Sequence, residues 1–174
     1  MAKKTIVIRV DRCLGCKSCE IACAVAHSKS KDLAAVIRSG EKPGYRVTIE
    51  HYGPAAVPVH CNHCDEPACL LACPTGTIYR KGEKEPVLMD NTRCIGCKMC
   101  VQACPFGVIT MNPSGKGVIK CDLCIERLAQ GQEPACVAAC PTKALVFIEE
   151  KEANRDKRRK VAEKLAMAQQ EKQE

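Results

Sequence analysis

The sequence contains sixteen cysteines, whose thiols can bind metal or react as nucleophiles and whose spacing is regular. They form four groups of four, and no cysteine lies outside them. The first and third groups have gaps of two, two and three residues, the second has gaps of two, four and three, and the fourth has gaps of two, eleven and three. In sequence order the groups are Cys13, Cys16, Cys19 and Cys23; Cys61, Cys64, Cys69 and Cys73; Cys94, Cys97, Cys100 and Cys104; and Cys121, Cys124, Cys136 and Cys140.

This spacing is typical of ligands for [4Fe–4S] clusters. Such a cluster needs four thiolates arranged tetrahedrally, and a C-x₂-C-x₂-C loop presents three of them while its backbone N–H groups point at the sulfides. In the bacterial run C-x₂-C-x₂-C-x₃-C-P, the fourth cysteine binds the other cluster of a pair. Residues 94–105 match this run in full, and residues 13–23 match all of it but the proline. We therefore predict four [4Fe–4S] clusters, with all sixteen cysteines as iron ligands.

Zinc is the alternative metal, because C-x₂-C pairs also build zinc ribbons. Zinc sites usually use separated pairs, whereas here three cysteines lie within seven residues and a fourth follows closely. Colour distinguishes the two, since an iron–sulfur protein is brown and bleaches on reduction or in air. His60 and His63 alternate with Cys61 and Cys64, but four cysteines are already present there. We expect these imidazoles to pack beside a cluster or to hydrogen-bond its sulfur.

The composition fits a protein filled by inorganic clusters. It has two Phe, three Tyr and no Trp, so large rings contribute little to its core. The formal net charge is +7, and four clusters with their thiolates would add about −8. The loaded chain is therefore expected to be near neutral and to bind no nucleic acid. A regulator that uses the Lys/Arg-rich tail on nucleic acid is the alternative, but Asp and Glu interrupt that tail.

Other sequence signals set expectations about location and catalysis. The first residues lead directly into a strand at Thr5–Val10 without a signal-peptide pattern, and no segment has the roughly 20 apolar residues that cross a bilayer. We expect a cytoplasmic protein with no direct membrane insertion. No dinucleotide or phosphate-binding loop occurs and no cysteine remains free as a nucleophile, so we expect no catalytic residue. His27 and His51 are expected to have ordinary packing or surface roles.

Hydrophobic patterning predicts an α+β fold of short strands, hairpins and short helices, with a C-terminal helix. Helices should follow the third cysteine of a group, and the first of them should continue to His27. From Glu149 onward the tail should form a helix with a thin apolar stripe at Val161, Leu165 and Ala168. The expected strands are Tyr45–Glu50, Ile78–Tyr79 paired with Val87–Leu88, and Val108–Met111 paired with Val118–Ile119.

Residues 5–148 resemble a known family through their four quartets, the expanded second quartet, and the long gap between Cys124 and Cys136. The family is the four-cluster ferredoxin-like electron-transfer subunits of dimethyl sulfoxide reductase, formate dehydrogenase, hydrogenase, tungsten aldehyde oxidoreductase and carbon monoxide dehydrogenase. Residues 13–28 look most like the small subunits that serve carbon monoxide dehydrogenase, and aldehyde-oxidoreductase subunits look nearly as close. The resemblance implies an anaerobic, non-catalytic electron carrier.

For partners, the resemblance implies a larger catalytic enzyme, with carbon monoxide dehydrogenase favoured, and an acceptor such as a flavoprotein or a hydrogenase. A tungsten or molybdenum aldehyde oxidoreductase, a formate dehydrogenase or a hydrogenase is the alternative catalytic partner. A freely diffusing polyferredoxin without a fixed partner is a further possibility.

The resemblance also implies two nested ferredoxin-like units. Residues 1–50 and 115–148 would form the outer unit, residues 51–114 the inserted unit, and residues 149–174 a charged tail. Four ligand sets follow, which we name A to D. Set A is Cys13, Cys16, Cys19 and Cys140; set B is Cys23, Cys121, Cys124 and Cys136; set C is Cys61, Cys64, Cys69 and Cys104; and set D is Cys73, Cys94, Cys97 and Cys100.

Overall fold

The strands pair in twos in the computed structural model, which describes residues 3–112 and 115–170. Within those residues they form four antiparallel two-stranded sheets. Three of the sheets are hairpins between consecutive strands, and the fourth joins the first and last strands of the protein. The pairs are β1 (Lys4–Ile8) with β8 (Leu145–Glu149), β2 (Val47–Tyr52) with β3 (Ala55–His60), β4 (Ile78–Tyr79) with β5 (Leu88–Met89), and β6 (Thr110–Met111) with β7 (Val118–Ile119).

The helices are short except for the first and the last, and together with the strands they confirm the α+β prediction. They are α1 (Ser18–Ala26), α2 (Leu33–Ser39), α3 (Ala68–Leu71), α4 (Met99–Ala103), α5 (Ile125–Ala129), α6 (Ala135–Ala138) and α7 (Glu150–Gln170). Helix α1 starts one residue before Cys19 and continues past Cys23, so both thiols lie on the same helix face, one turn apart.

The sheet of β1 and β8 brings the two ends of the cysteine-containing region together. Ile6 pairs with Phe147, and Ile8 with Leu145. Around this sheet lies a first core, which combines the first and fourth cysteine groups with apolar side chains. Its buried members are Ile6, Cys19, Cys23, Val47, Ile49, Ala56, Cys136, Val137, Cys140, Ala144 and Leu145.

A second core lies between the two short hairpins. Its buried members are Ile78, Val87, Cys100, Ile109 and Val118, and thiols of the second and third cysteine groups pack around them. Each core therefore combines two cysteine groups, which fits nested units. The predicted boundaries remain predictions: the first falls within the β2–β3 hairpin, and the second lies between β6 and β7.

The final helix is attached at its first two turns. Lys3 pairs with Glu150 at 2.9 Å, Arg9 pairs with Asp156 at 3.5 Å, and Ala153 is buried. Further along, the predicted apolar stripe is exposed at Val161 and Leu165; the side chain of Ala168 lies outside the described residues. No described helix has the length and hydropathy to cross a lipid bilayer.

Candidate iron–sulfur sites

The loops between cysteines repeatedly enter the left-handed backbone region. In the third group, Gly96 has φ +74° and Lys98 has φ +63°; the equivalent Gly15 and Lys17 in the first group have φ +65° and +60°. Alternation between ordinary and left-handed residues turns successive N–H groups toward one side, which creates a concavity for anions. Each C-x₂-C-x₂-C loop is therefore shaped to receive a negatively charged group.

The turn after the fourth cysteine also directs donors at sulfur. In the Cys-Pro-Thr turn at Cys140, the backbone N–H of Ala144 donates to Sγ at 3.2 Å. At Cys73, desolvation raises the pKa, but hydrogen bonds from the backbone of Ile78 and from Thr75 outweigh it and lower the pKa to about 7. The repeated turn that the sequence shows after these cysteines thus stabilises thiolates, the form that binds iron.

Two cavities are each lined by four cysteines. One contains Cys13, Cys16, Cys19 and Cys140, the four cysteines of set A. The other contains Cys73, Cys94, Cys97 and Cys100, the four cysteines of set D. These residues come from distant parts of the sequence, so the fold and not the local spacing brings them together.

Within set B, and likewise within set C, the thiols are close enough to influence one another's pKa values. Burial raises the pKa of Cys136 to about 12, and the charges of Cys23 and Cys124 add to the rise. Burial likewise raises the pKa of Cys69. The charges of the other three members of set C, Cys61, Cys104 and Cys64, add to this rise.

The structure describes all sixteen cysteines, and all are free thiols. Two of them, Cys16 and Cys97, are exposed. They belong to sets A and D. Beside them, in the same loops, Leu14 is 72% exposed and Ile95 is 67% exposed. The thiols of sets B and C are buried or half-buried.

Several buried donors around these thiols have no hydrogen-bond partner among the described residues. They are Nε and Nη1 of Arg46, Nε2 of His63 and Nε of Arg80. Leaving a buried donor without a partner costs about 1–3 kcal/mol, so an acceptor outside the polypeptide is expected at each. Sulfides of an iron–sulfur cluster accept such hydrogen bonds. The residues present therefore fit bound clusters.

The two histidines beside the second group are buried and neutral. Burial lowers the pKa of His60, and burial followed by the charge of Lys120 lowers the pKa of His63 to about 3. His63 Nδ1 accepts a hydrogen bond from Val87 N at 3.1 Å, which leaves the proton on Nε2. A neutral imidazole with a free buried N–H fits the sulfur-contacting role expected from the sequence.

Sequence analysis missed four side chains of this region: His27, Arg46, Arg80 and Lys120. The His27 ring bridges Cys23 O at 2.7 Å and Asp122 Oδ1 at 3.1 Å, so it ties α1 to the fourth cysteine group. Its position four residues after Cys23, at the predicted end of the first helix, was the available signal. Lys120 directly precedes Cys121, whereas nothing in the local sequence marks Arg46 or Arg80.

Comparison with known proteins gives two matching families and several relatives. A 4Fe-4S dicluster domain matches residues 54–150, and a 4Fe-4S binding domain matches residues 10–26. The thiosulfate reductase electron transfer subunit PhsB of Salmonella typhi is 43% identical over 140 residues, covering 78% of this chain and 70% of that protein.

Two further relatives come from Escherichia coli K12. The putative electron transport protein YsaA is 40% identical over 156 residues, covering 88% of this chain and 95% of that protein. YnfG, a probable component of an anaerobic dimethyl sulfoxide reductase, is 37% identical over 152 residues, covering 79% of this chain and 69% of that protein.

Proposed function

We propose that this chain, which belongs to the family of 4Fe–4S dicluster electron-transfer subunits, carries electrons along a row of four sites between a catalytic redox enzyme and an acceptor. It is an iron–sulfur electron-transfer subunit of an oxidoreductase and has no catalytic role of its own. Its sixteen cysteines hold four [4Fe–4S] clusters. Each cluster, when bound, supplies one-electron redox chemistry.

The ligand sets A to D are part of this proposal. The two four-cysteine cavities support sets A and D, and the mutual influence of the thiols supports sets B and C. The unpaired donors of Arg46 and His63, whose backbone N–H groups donate to Cys23 and Cys61 Sγ at 3.3 and 3.4 Å, add support at sets B and C.

Electrostatic coupling and packing between the sets support the order A, B, C, D. The charge of Cys19 adds to the rise in the pKa of Cys136, which links A to B. The charge of Cys61 adds to the rise in pKa that burial causes in Cys121, which links B to C. Thiols of C and D surround the second core.

The observation that carries the proposal is that the exposed cysteines, Cys16 and Cys97, belong to the two end sets of this row. Their exposed neighbours Leu14 and Ile95 place an apolar surface beside each end. A partner can therefore approach both ends closely, while the polypeptide covers the interior sets.

For the catalytic partner we retain carbon monoxide dehydrogenase, because residues 13–28 resemble its small subunits. A reductase of the thiosulfate or dimethyl sulfoxide type is the alternative that the relatives support. A flavoprotein or a hydrogenase is the proposed acceptor. We propose the cytoplasm as the location, since sixteen free thiols persist best in a reducing compartment.

An anaerobic affinity purification of the tagged protein from its own host tests this proposal. We expect a large redox enzyme to co-purify, and its identity decides between carbon monoxide dehydrogenase and a reductase. The control is the same purification with the double variant Leu14→Glu and Ile95→Glu, which places charge on both end surfaces without touching a cysteine. Recovery of the brown protein alone, at physiological concentration and low salt, would contradict a fixed-subunit role.

A further inference from the structure

Lys120 is the largest fully buried side chain of the described residues, with only 1% of its surface exposed. It follows β7 and directly precedes Cys121, where the polypeptide passes from the second core to the fourth cysteine group. A buried ammonium group is costly unless negative or polar groups surround it. Its position therefore needs a compensating partner.

The hydrogen bonds of Lys120 reach both units. Its Nζ donates to Val87 O at 2.6 Å and to Cys121 O at 2.9 Å. Val87 belongs to the second core, and Cys121 belongs to set B. The ammonium group therefore lies at the junction between the two units.

None of the ion pairs among the described residues includes Lys120. Its hydrogen bonds lead instead toward set C, because Val87, whose carbonyl accepts from Nζ at 2.6 Å, donates its N–H to His63 Nδ1 at 3.1 Å. His63 in turn donates its backbone N–H to Cys61 Sγ at 3.4 Å, so two hydrogen bonds connect the lysine to the loop at Cys61.

The half-buried arginines Arg46 and Arg80 each contact one side only. Arg46 donates its backbone N–H to Cys23 of set B, and Arg80 donates to the carbonyls of His63 and Cys64 beside set C. Lys120 differs because its Nζ hydrogen-bonds at Cys121 of set B and, through Val87, is connected to His63 beside set C.

We propose that Lys120 is a positioning residue whose buried charge raises the reduction potentials of sites B and C together and so joins the two units into one electron path. This inference rests on the proposed ligand sets. A positive charge stabilises whichever redox state carries more negative charge, and the effect is strong where little water screens it. Because one cation serves both inner sites, removing it should move both potentials in the same direction and leave sites A and D unchanged.

The test is a potentiometric titration, followed by electron paramagnetic resonance, of the complete iron-loaded protein and its variant Lys120→Met. Methionine keeps an unbranched apolar stem and removes the charge. We expect the variant to retain its full iron content while two of its four sites titrate at lower potential. The reduced-to-oxidised ratio of those sites at a fixed applied potential should fall at least about tenfold, which equals about 59 mV for a one-electron couple.

The matched control is Lys81→Met, which removes an exposed lysine in the turn between β4 and β5, outside every cysteine loop. Solvent and salt screen that charge, so all four potentials should stay at their original values. A Lys120→Met protein that titrates like the unmodified protein overturns the proposal, as does an equal shift at all four sites. Iron analysis of the unmodified protein separately tests the underlying assignment, since fewer than four clusters would contradict the ligand sets and not the role of the lysine.

If Lys120→Met fails to load iron, Lys120→Arg decides the matter. Arginine keeps the charge and the donors but changes the shape. Full loading of this variant at the original potentials supports the proposal, because charge then distinguishes the two variants. Loss of iron in both variants overturns it, because the shape of lysine and not its charge would be required.

Discussion

At the scale of single residues, the cysteines differ in whether solvent reaches them. Cys16 and Cys97 are exposed ligands of the proposed end sites, whereas the thiols of sets B and C are covered by protein. An exposed ligand tolerates polar substitution without disturbing a core. Its replacement should therefore affect the metal site and leave the fold intact.

Cys97→Ser should remove or convert one cluster and stop electron transfer at one end of the row. Serine retains the size of the side chain but lacks the soft sulfur ligand that iron–sulfur clusters require. Iron and sulfide analysis, with spectroscopy of the reduced protein, measures the loss. Cys16→Ser is the matched variant: it should give the same loss at the opposite end. If Cys97→Ser kept its iron content and its rate of electron transfer, Cys97 would not be an iron ligand.

His63 should make the protein sensitive to mild acid. Its pKa is lowered from 6.5 to about 3, by burial first and then by Lys120. The unfolded protein therefore binds this proton at a higher pH than the folded protein does. The associated stability is complete above pH 6.5 and is lost as the pH falls toward 3, by at most about 1.4 kcal/mol per pH unit.

The variant His63→Asn should weaken this acid dependence, and asparagine tolerates the left-handed backbone (φ +47°) of this position. The measurement is the rate of cluster loss between pH 7 and pH 5. The exposed His51 provides the control, because His51→Asn should keep the pH dependence of the unmodified protein. Identical pH profiles in all three proteins would exclude His63 as the acid-sensitive group.

At the scale of secondary-structure elements, the loops that hold cysteines depend on glycine at defined positions. Gly96 has φ +74°, and a Cβ atom there would lie 2.9 Å from Gly115 O, which is closer than real Cβ contacts. Gly107 has a similar φ of +63° but no atom within 4 Å of the added Cβ. A side chain would therefore be strained by the backbone at both positions, but only at Gly96 would its Cβ atom also clash with a neighbour.

Gly96→Ala should destabilise the third cysteine loop more than Gly107→Ala destabilises its turn. Both variants incur about 1–2 kcal/mol for a side chain in the left-handed region. Gly96→Ala also forces the loop away from the backbone of Gly115. Thermal loss of the iron–sulfur absorbance compares them. An equal midpoint in the two variants would show that the contact with Gly115 has no energetic role.

Sequence reasoning predicted the elements well where a local rule determines them. The strand pairs at Ile78–Tyr79 and Val118–Ile119 and the helices after Cys19 and Cys100 were expected, because alternation and helical spacing are local properties. The cluster count was also predictable, since metal geometry restricts ligand spacing. Burial of Lys120 was not, because it depends on contacts between residues far apart in sequence, and a lysine is normally assigned to the surface.

At the scale of the whole molecule, two cores and a projecting helix replace the single apolar interior of an ordinary domain. The tail was predicted as a helix from its composition, but its attachment through Lys3, Arg9 and Ala153 could not be read from the sequence. These contacts involve the first two turns. The later turns have exposed apolar residues at Val161 and Leu165.

Ending the protein after Lys160 should leave the iron content and thermal stability unchanged, because the apolar side chains that it removes at Val161 and Leu165 are exposed. Ala153→Asp should lower the stability, because it buries a charge where β1, β8 and α7 meet. Thermal loss of the iron–sulfur absorbance compares both with the full-length protein. A large loss on truncation would show that the distal turns stabilise the folded body.

The exposure of Cys16 and Cys97 also determines which clusters are damaged first. Dissolved oxygen and chelators reach the two end ligands before the covered thiols between them. Early damage should therefore disconnect the protein from its partners while most of its metal is still bound. A sample that is still brown and retains three of its four clusters can therefore already fail to pass electrons between its partners.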